Sequence, residues 1–218
     1  MVDHYARAAD IGETEHGPKF HDARILKMAM RESILTSPGS FLKTVEDVET
    51  MSADYWDKEI DTSTWVVMQQ FEEVVGIAVS RWPDKEIDRN ISQMSARFIE
   101  SVWVAPKLRG SHIGERLVNY LMEVEREKYP TVRHFMLWVF ERNENAIRLY
   151  KRMGFKRVGT EHTLADGTIE LRYEYVLPNP SAKRAAQLSR ANAVARTADL
   201  RQYGVTHRVL GRTSGSSG

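Results

Sequence analysis

Apolar residues recur every three or four positions through Ile113, Leu117, Leu121 and Val124, with Glu115, Arg116, Glu123, Glu125 and Arg126 around the rest of the turn. That spacing predicts an amphipathic helix. A second such pattern covers Ala23 to Leu35, with Ile25, Met28, Ala29, Ile34 and Leu35 near one face, and Ser52 is suited to cap a short helix through Tyr55, Trp56 and Ile60. Asn143 is placed to cap another, whose Ala146, Leu149, Tyr150 and Met153 share a face and whose stop is Gly154.

Elsewhere the pattern changes to that of strands. Trp65 to Met68 and Val74 to Val79 read as a hairpin joined across Gln70 to Glu73, and Arg97 to Val104 as a third strand after a polar stretch from Pro83 to Ser92. Phe135 to Phe140 is an almost continuous apolar run, as expected of a parallel strand covered on both faces. Asp166 and Gly167 separate two extended segments, the second alternating Ile169, Leu171, Tyr173, Tyr175 and Leu177 against Glu170, Arg172 and Glu174.

At 218 residues, 42% hydrophobic and 28% charged, the chain has material for one well-buried core and appendages. The expected division is an N-terminal segment 1–22, which has room for a first strand, a catalytic-sized domain 23–177 and a tail 178–218. The tail is rich in Ala and Arg, with Lys183, Arg184, Arg190, Arg196, Arg201, Arg208 and Arg212 opposed by Asp199 alone. It is expected to be partly helical or disordered, and the linker-like Thr213 to Gly218 is set aside.

A net charge of +1 gives no bulk signal for nucleic acid or membrane, and no aromatic-interleaved pattern accompanies the basic tail, so a nucleic-acid partner is disfavoured. No run approaches the roughly 18 to 20 apolar residues of a membrane span. The absence of cysteine excludes disulfides, thiolate metal sites and a cysteine nucleophile, and is compatible with the cytoplasmic setting expected here. No metal site is expected: His112 has no partner ligands at metal spacing.

The candidate chemistry lies where the third strand runs through Ala105 and Pro106 into Arg109, Gly110, Ser111, His112, Ile113 and Gly114, then into the best-patterned helix. A turn that delivers unpaired amides to a helix start is an anion site, because those amides lack intrahelical partners and the macrodipole adds positive charge. A phosphorylated cofactor is the natural ligand. A nucleotide-triphosphate loop is disfavoured, since Gly114 is followed by Glu115 and Arg116 rather than Lys and Ser or Thr. His112 carries a Cβ where a glycine would be easiest, which is tolerable if its φ stays negative. Its ring is expected to face solvent.

The turn from Val104 to Gly114, followed by Leu137 to Val139, Asn143, Ala146, Leu149, Tyr150, Met153, Gly154 and Phe155, resembles the two signatures of the GNAT N-acetyltransferase superfamily. Two signatures in the right order, about 30 residues apart, are far more specific than one glycine-rich turn. The resemblance extends from about Ala23 to Leu177. It implies an α/β fold with a mixed central sheet of six to seven strands, about four flanking helices and a splayed parallel strand pair. It further implies acetyl-CoA as cosubstrate, held by Val102, Trp103, Val104, Arg109, Gly110, Ser111, His112, Ile113, Gly114, Glu115, Asn143 and Tyr150. The pantetheine arm would bond unpaired main-chain groups of Val102 to Val104, and the Val104 amide would stabilise the oxyanion.

Tyr150 matches the family tyrosine that points at the cofactor sulfur, where a phenol can protonate the leaving thiolate. Its alternative role is a packed helix-face aromatic. Glu100 is the candidate general base, because strand alternation puts Phe98, Glu100, Val102 and Val104 on one face and an isolated carboxylate there is costly; a structural ion pair is the competing role. The resemblance places the acceptor surface at Trp56, Asp57, Trp82, Asp84, Glu86, Asp88, Glu161, His162 and Asp166. The acceptor is an amine, either a small molecule or a protein amino group, and a homodimer is allowed. The contrasting class is a non-catalytic acyl-CoA-binding or interaction module.

Overall fold

The computed structural model describes residues 18–71, 73–84, 91, 95–159, 161–178 and 206–210. Its helices are α1 (Pro18–Thr36), α2 (Val45–Thr50), α3 (Ala53–Thr62), α4 (Ile113–Lys128) and α5 (Glu144–Arg152). Its strands are β1 (Ser63–Gln70), β2 (Glu73–Arg81), β3 (Ala96–Val104), β4 (His134–Phe140), β5 (Lys156–Arg157), β6 (His162–Thr163), β7 (Ile169–Val176) and β8 (Thr206–Leu210). They form one eight-stranded sheet in the order β5-β7-β4-β3-β2-β1-β8, with β6 also on β7.

Local chemistry accounts for most of these boundaries. The Ser52 hydroxyl accepts the Tyr55 amide to start α3, and Asn143 accepts the Ala146 amide to start α5. Helix α2, which the apolar pattern does not reveal, begins in a capping box between Thr44 and Asp47. Helix α5 ends in a Schellman motif: Gly154, at φ 92°, donates to Lys151 O, and Phe155 donates to Tyr150 O. The accompanying contact is between the Tyr150 and Phe155 rings, 5.7 Å apart.

Cross-strand register places Arg97, Ile99, Ser80 and Gly76 towards α4, and Phe98, Glu100, Val79 and Ile77 on the opposite face, which α1 and α3 cover. A buried ion pair fastens α4 to the sheet, with Arg97 Nε 2.7 Å from Glu125 Oε2.

Thr206–Leu210 belongs to the segment that composition set apart as a tail, yet it forms β8 antiparallel to β1, and Leu210 is buried opposite Trp65. The expectation of a partly helical or disordered tail otherwise falls on residues 179–205 and 211–218, which, with residues 1–17, Glu86 and Asp88, lie outside the described residues. Among the described residues no helix is long and apolar enough to cross a membrane.

Candidate active site

Strands β3 and β4 pair in parallel only at Ala96 with His134, Arg97 with Phe135 and Phe98 with Met136. Beyond Phe98 they part. The divergence coincides with a bulge in β3: Val79 opposes Glu100 and Ile77 opposes Trp103, leaving Ser101 and Val102 opposite Ala78 alone. Ser101 sits at φ 49°, an uncommon conformation for a residue with a side chain.

The bulge corrects the expected alternation. One extra residue reverses the faces, so Trp103 joins Glu100 towards α1 while Val104 turns to the other side. The Trp103 indole N–H donates to Thr36 Oγ1 at 2.9 Å, and Val104 reaches the start of α4 beside Gly114.

The gap is the inner end of a cleft of about 1320 Å³. Glu100, Val102, Trp103 and Val104 line it from β3; Arg109, Gly110, His112, Ile113, Gly114 and Glu115 from the turn; Asn143 and Tyr150 from α5. Ser111 is absent from this lining, and its hydroxyl donates to Leu108 O at 2.6 Å. In the turn, the Arg109 amide donates to Pro106 O and the Arg116 amide to His112 O. Between them, the amides of Gly110 through Glu115 make no well-formed backbone hydrogen bond among the described residues. Gly110 is at φ 79° with open space around it, so conformation rather than crowding selects glycine there.

His112 departs from expectation. Its φ is 62°, the left-handed region, because the turn needs that backbone to aim successive amides into the cleft. The ring is exposed, with Nδ1 3.4 Å from Glu115 Oε2. Ile113 is buried and anchors the helix start, leaving its amide as its polar contribution. The Glu115 carboxylate would repel phosphate, so the useful group at that position is also the amide.

Arg109 Nε donates to Val104 O at 3.0 Å and Nη2 to Ser37 Oγ at 2.6 Å. One of the main-chain groups expected to await the pantetheine arm is therefore already engaged. Asn143 Nδ2 donates to Ser40 Oγ at 3.3 Å while Oδ1 caps α5. Sequence reasoning missed this third wall, the α1–α2 connection Ser37–Lys43; its available signal was the turn-forming run Ser37, Pro38, Gly39, Ser40.

Tyr150 is buried, and burial pushes its phenol pKa well above the ordinary range, so the group stays protonated and able to donate. Glu100 is ion-paired with Arg81 Nε, the structural role weighed against catalysis. Of the expected acceptor surface, Trp56, Trp82 and Asp84 line a second chamber beside α3, and Glu161 and His162 line the outer cleft. Asp166 lies in the β6–β7 turn, where the Thr168 amide holds its carboxyl below the usual carboxylate range. Asp57 lines neither space. Among the described residues no group of three or more His, Asp or Glu side chains could hold a metal ion.

A family model described as the acetyltransferase (GNAT) family matches residues 28–155. A peptidyl-lysine N-acetyltransferase of Escherichia coli, YiaC, is 35% identical over 65 residues, 30% of this chain and 40% of that protein. The chain's match thus spans well under two thirds of this curated relative. A GNAT-family acetyltransferase of Streptococcus pneumoniae superposes with TM-score 0.58 at 14% identity, covering 75% of this chain and 98% of that one. Arabidopsis thaliana NAA60, solved with acetyl-CoA, superposes with TM-score 0.54 at 20% identity, covering 72% and 95%.

Proposed function

Because the chain belongs to the GNAT acetyltransferase family, we propose that it transfers the acetyl group of acetyl-CoA to a primary amine by direct attack in a ternary complex. The observation that carries this reading is the parting of β3 from β4 beyond Phe98, with unpaired amides at one end and the protonated Tyr150 phenol in the same cleft. The amides of Gly110 to Glu115 suit the diphosphate. Main-chain groups of Val102 suit the pantetheine arm, those of Trp103 being turned towards Ile77 on β2, and the Val104 amide suits the oxyanion. When the thioester breaks, Tyr150 protonates the departing thiolate.

The acceptor is a small-molecule amine or a protein amino group; peptidyl-lysine acetylation is the activity of the YiaC relative. A cytoplasmic setting completes the reading, and the cysteine-free sequence permits it. The test is acetyl-CoA-dependent thiol release with polyamines, amino acids, aminoglycosides and peptides, run beside calorimetry with acetyl-CoA. Binding with no transfer to any amine identifies an acyl-CoA-binding module; no binding removes the reading altogether.

A further inference from the structure

The second chamber, of about 860 Å³, adjoins the cleft, and Met30, Lys43, Arg81, Glu100 and Ser101 are walls of both. The two spaces therefore meet at the β3 bulge, where the acetyl group would lie. Tyr55 and Glu59, one turn apart on α3, face this chamber, and the phenol donates a hydrogen bond to the Glu59 carboxylate.

Three carboxylates, Glu59, Asp84 and Glu100, line this chamber, and Glu59 and Glu100 have different surroundings. Glu100 is held by the Arg81 guanidinium, whereas the hydrogen-bond partner of Glu59 is a neutral phenol. We propose that Glu59 is the proton acceptor for the incoming amine, and that the α3 chamber admits a primary alkylammonium group. This inference rests on the acetyltransferase reading above.

Charged and titratable groups face Glu59 from every side: Tyr55 on α3, Lys43 before α2, Arg81 on β2 and Glu100 on β3. Burial and Glu100 raise its pKa, and Lys43, Tyr55 and Arg81 lower it; burial is the largest effect and the net direction is upward. An upward shift makes the carboxylate a stronger base. Tyr55 and Trp56 supply ring surface for the alkyl part and its charge.

The step balances as follows. The Glu59 carboxylate takes one proton from the alkylammonium, and the nitrogen lone pair forms a C–N bond to the thioester carbonyl carbon. Collapse of the tetrahedral adduct breaks the C–S bond, and the thiolate takes the Tyr150 phenol proton. The protonated amide nitrogen returns a proton to the Tyr150 phenolate, and Glu59 releases its proton to solvent.

The test compares two nucleophiles on the full chain at neutral pH: n-butylamine, which arrives charged, and hydroxylamine, which arrives mostly neutral. Glu59→Gln is expected to lower kcat/KM for n-butylamine by about 10²-fold or more, while hydroxylamine turnover and acetyl-CoA affinity stay close to wild type. Glu59→Asp, which keeps a carboxylate, should fall between them and guards against a fold-specific failure of the amide variant. Equal losses with both nucleophiles, or no loss with either, overturn the proton-acceptor role and leave the transferase reading intact. A wild-type chain that binds acetyl-CoA yet acetylates neither nucleophile overturns the alkylammonium chamber, and the transferase reading falls with it only when the wider panel of amines and peptides is also left unacetylated.

Discussion

Removing Glu125 should strand a positive charge inside the protein. Arg97 and Glu125 are essentially inaccessible, and Arg97 Nη2 makes 2.9 Å bonds to Glu125 Oε1 and Ser80 O while Nε bonds Ser80 Oγ at 3.0 Å. The guanidinium is also flanked by the Trp82 ring at 4.5 Å and the Tyr129 ring at 5.1 Å. Glu125→Ala removes the only full countercharge in that set and leaves Ser80 and the two rings. The expected cost is about 3–5 kcal/mol. With an m-value of about 3 kcal/mol/M, the urea midpoint should fall by roughly 1–1.7 M. Replacing both partners by Arg97→Met and Glu125→Leu removes the buried charges together, and should be neutral or stabilising by up to about 4 kcal/mol. A loss below about 1 kcal/mol in the single variant would show that water reaches Arg97. A double variant as unstable as the single would refute the charge argument and assign the loss to packing.

Tyr150→Phe should lower kcat by about 10²-fold with acetyl-CoA affinity by calorimetry unchanged, and unaltered turnover would remove Tyr150 from the mechanism. Since burial shifts the phenol upward, it remains protonated above its ordinary range near 10, so wild-type kcat should show no Tyr150-linked decline up to about pH 10. At the left-handed position 112, His112→Val should be about 1–2 kcal/mol less stable than His112→Gly by urea titration; equal midpoints would mean that the turn relaxes without cost. Deleting residues 179–218 removes β8 and the cover that Leu210 gives to Trp65, at a cost of about 1.5–3 kcal/mol, while cooperative unfolding persists. An unchanged midpoint would show that β8 contributes nothing to the sheet, and loss of cooperativity that the domain cannot stand without it.

The sequence was most legible where local rules and global packing agree. Helix α4 carries its apolar stripe, its acidic first turn and its basic last turn in one continuous segment, and α5 carries its Asn143 cap and its Gly154 stop. Helix α2 escaped notice because six residues with one buried side chain, Val48, show no period; its capping box was the readable sign. Strand β8 escaped for a different reason. Its burial depends on β1, which lies more than 130 residues earlier in the chain, so composition near Thr206 does not reveal it.

The site divides along the same line. The amide cradle is a local object, and the turn from Val104 to Gly114 announces it. What the strand pattern could not announce is the bulge at Ser101, because a one-residue insertion is invisible unless the register against β2 is known. That single residue decides which β3 side chains beyond Glu100 turn towards α1. It sends Trp103 to the side of Glu100, whereas the ion pair of Glu100 with Arg81 forms in the regular register before the bulge, where Val79 opposes Glu100 and Arg81 opposes Phe98. A carboxylate so engaged is less available as a base, which is the ground for proposing Glu59, a residue that the periodicity of α3 presents only as a polar position. The proposed chemistry of the cleft therefore rests on the bulge as much as on the signatures: the turn presents the amides proposed for the diphosphate, and the bulge coincides with the parting of β3 from β4 where the two spaces meet.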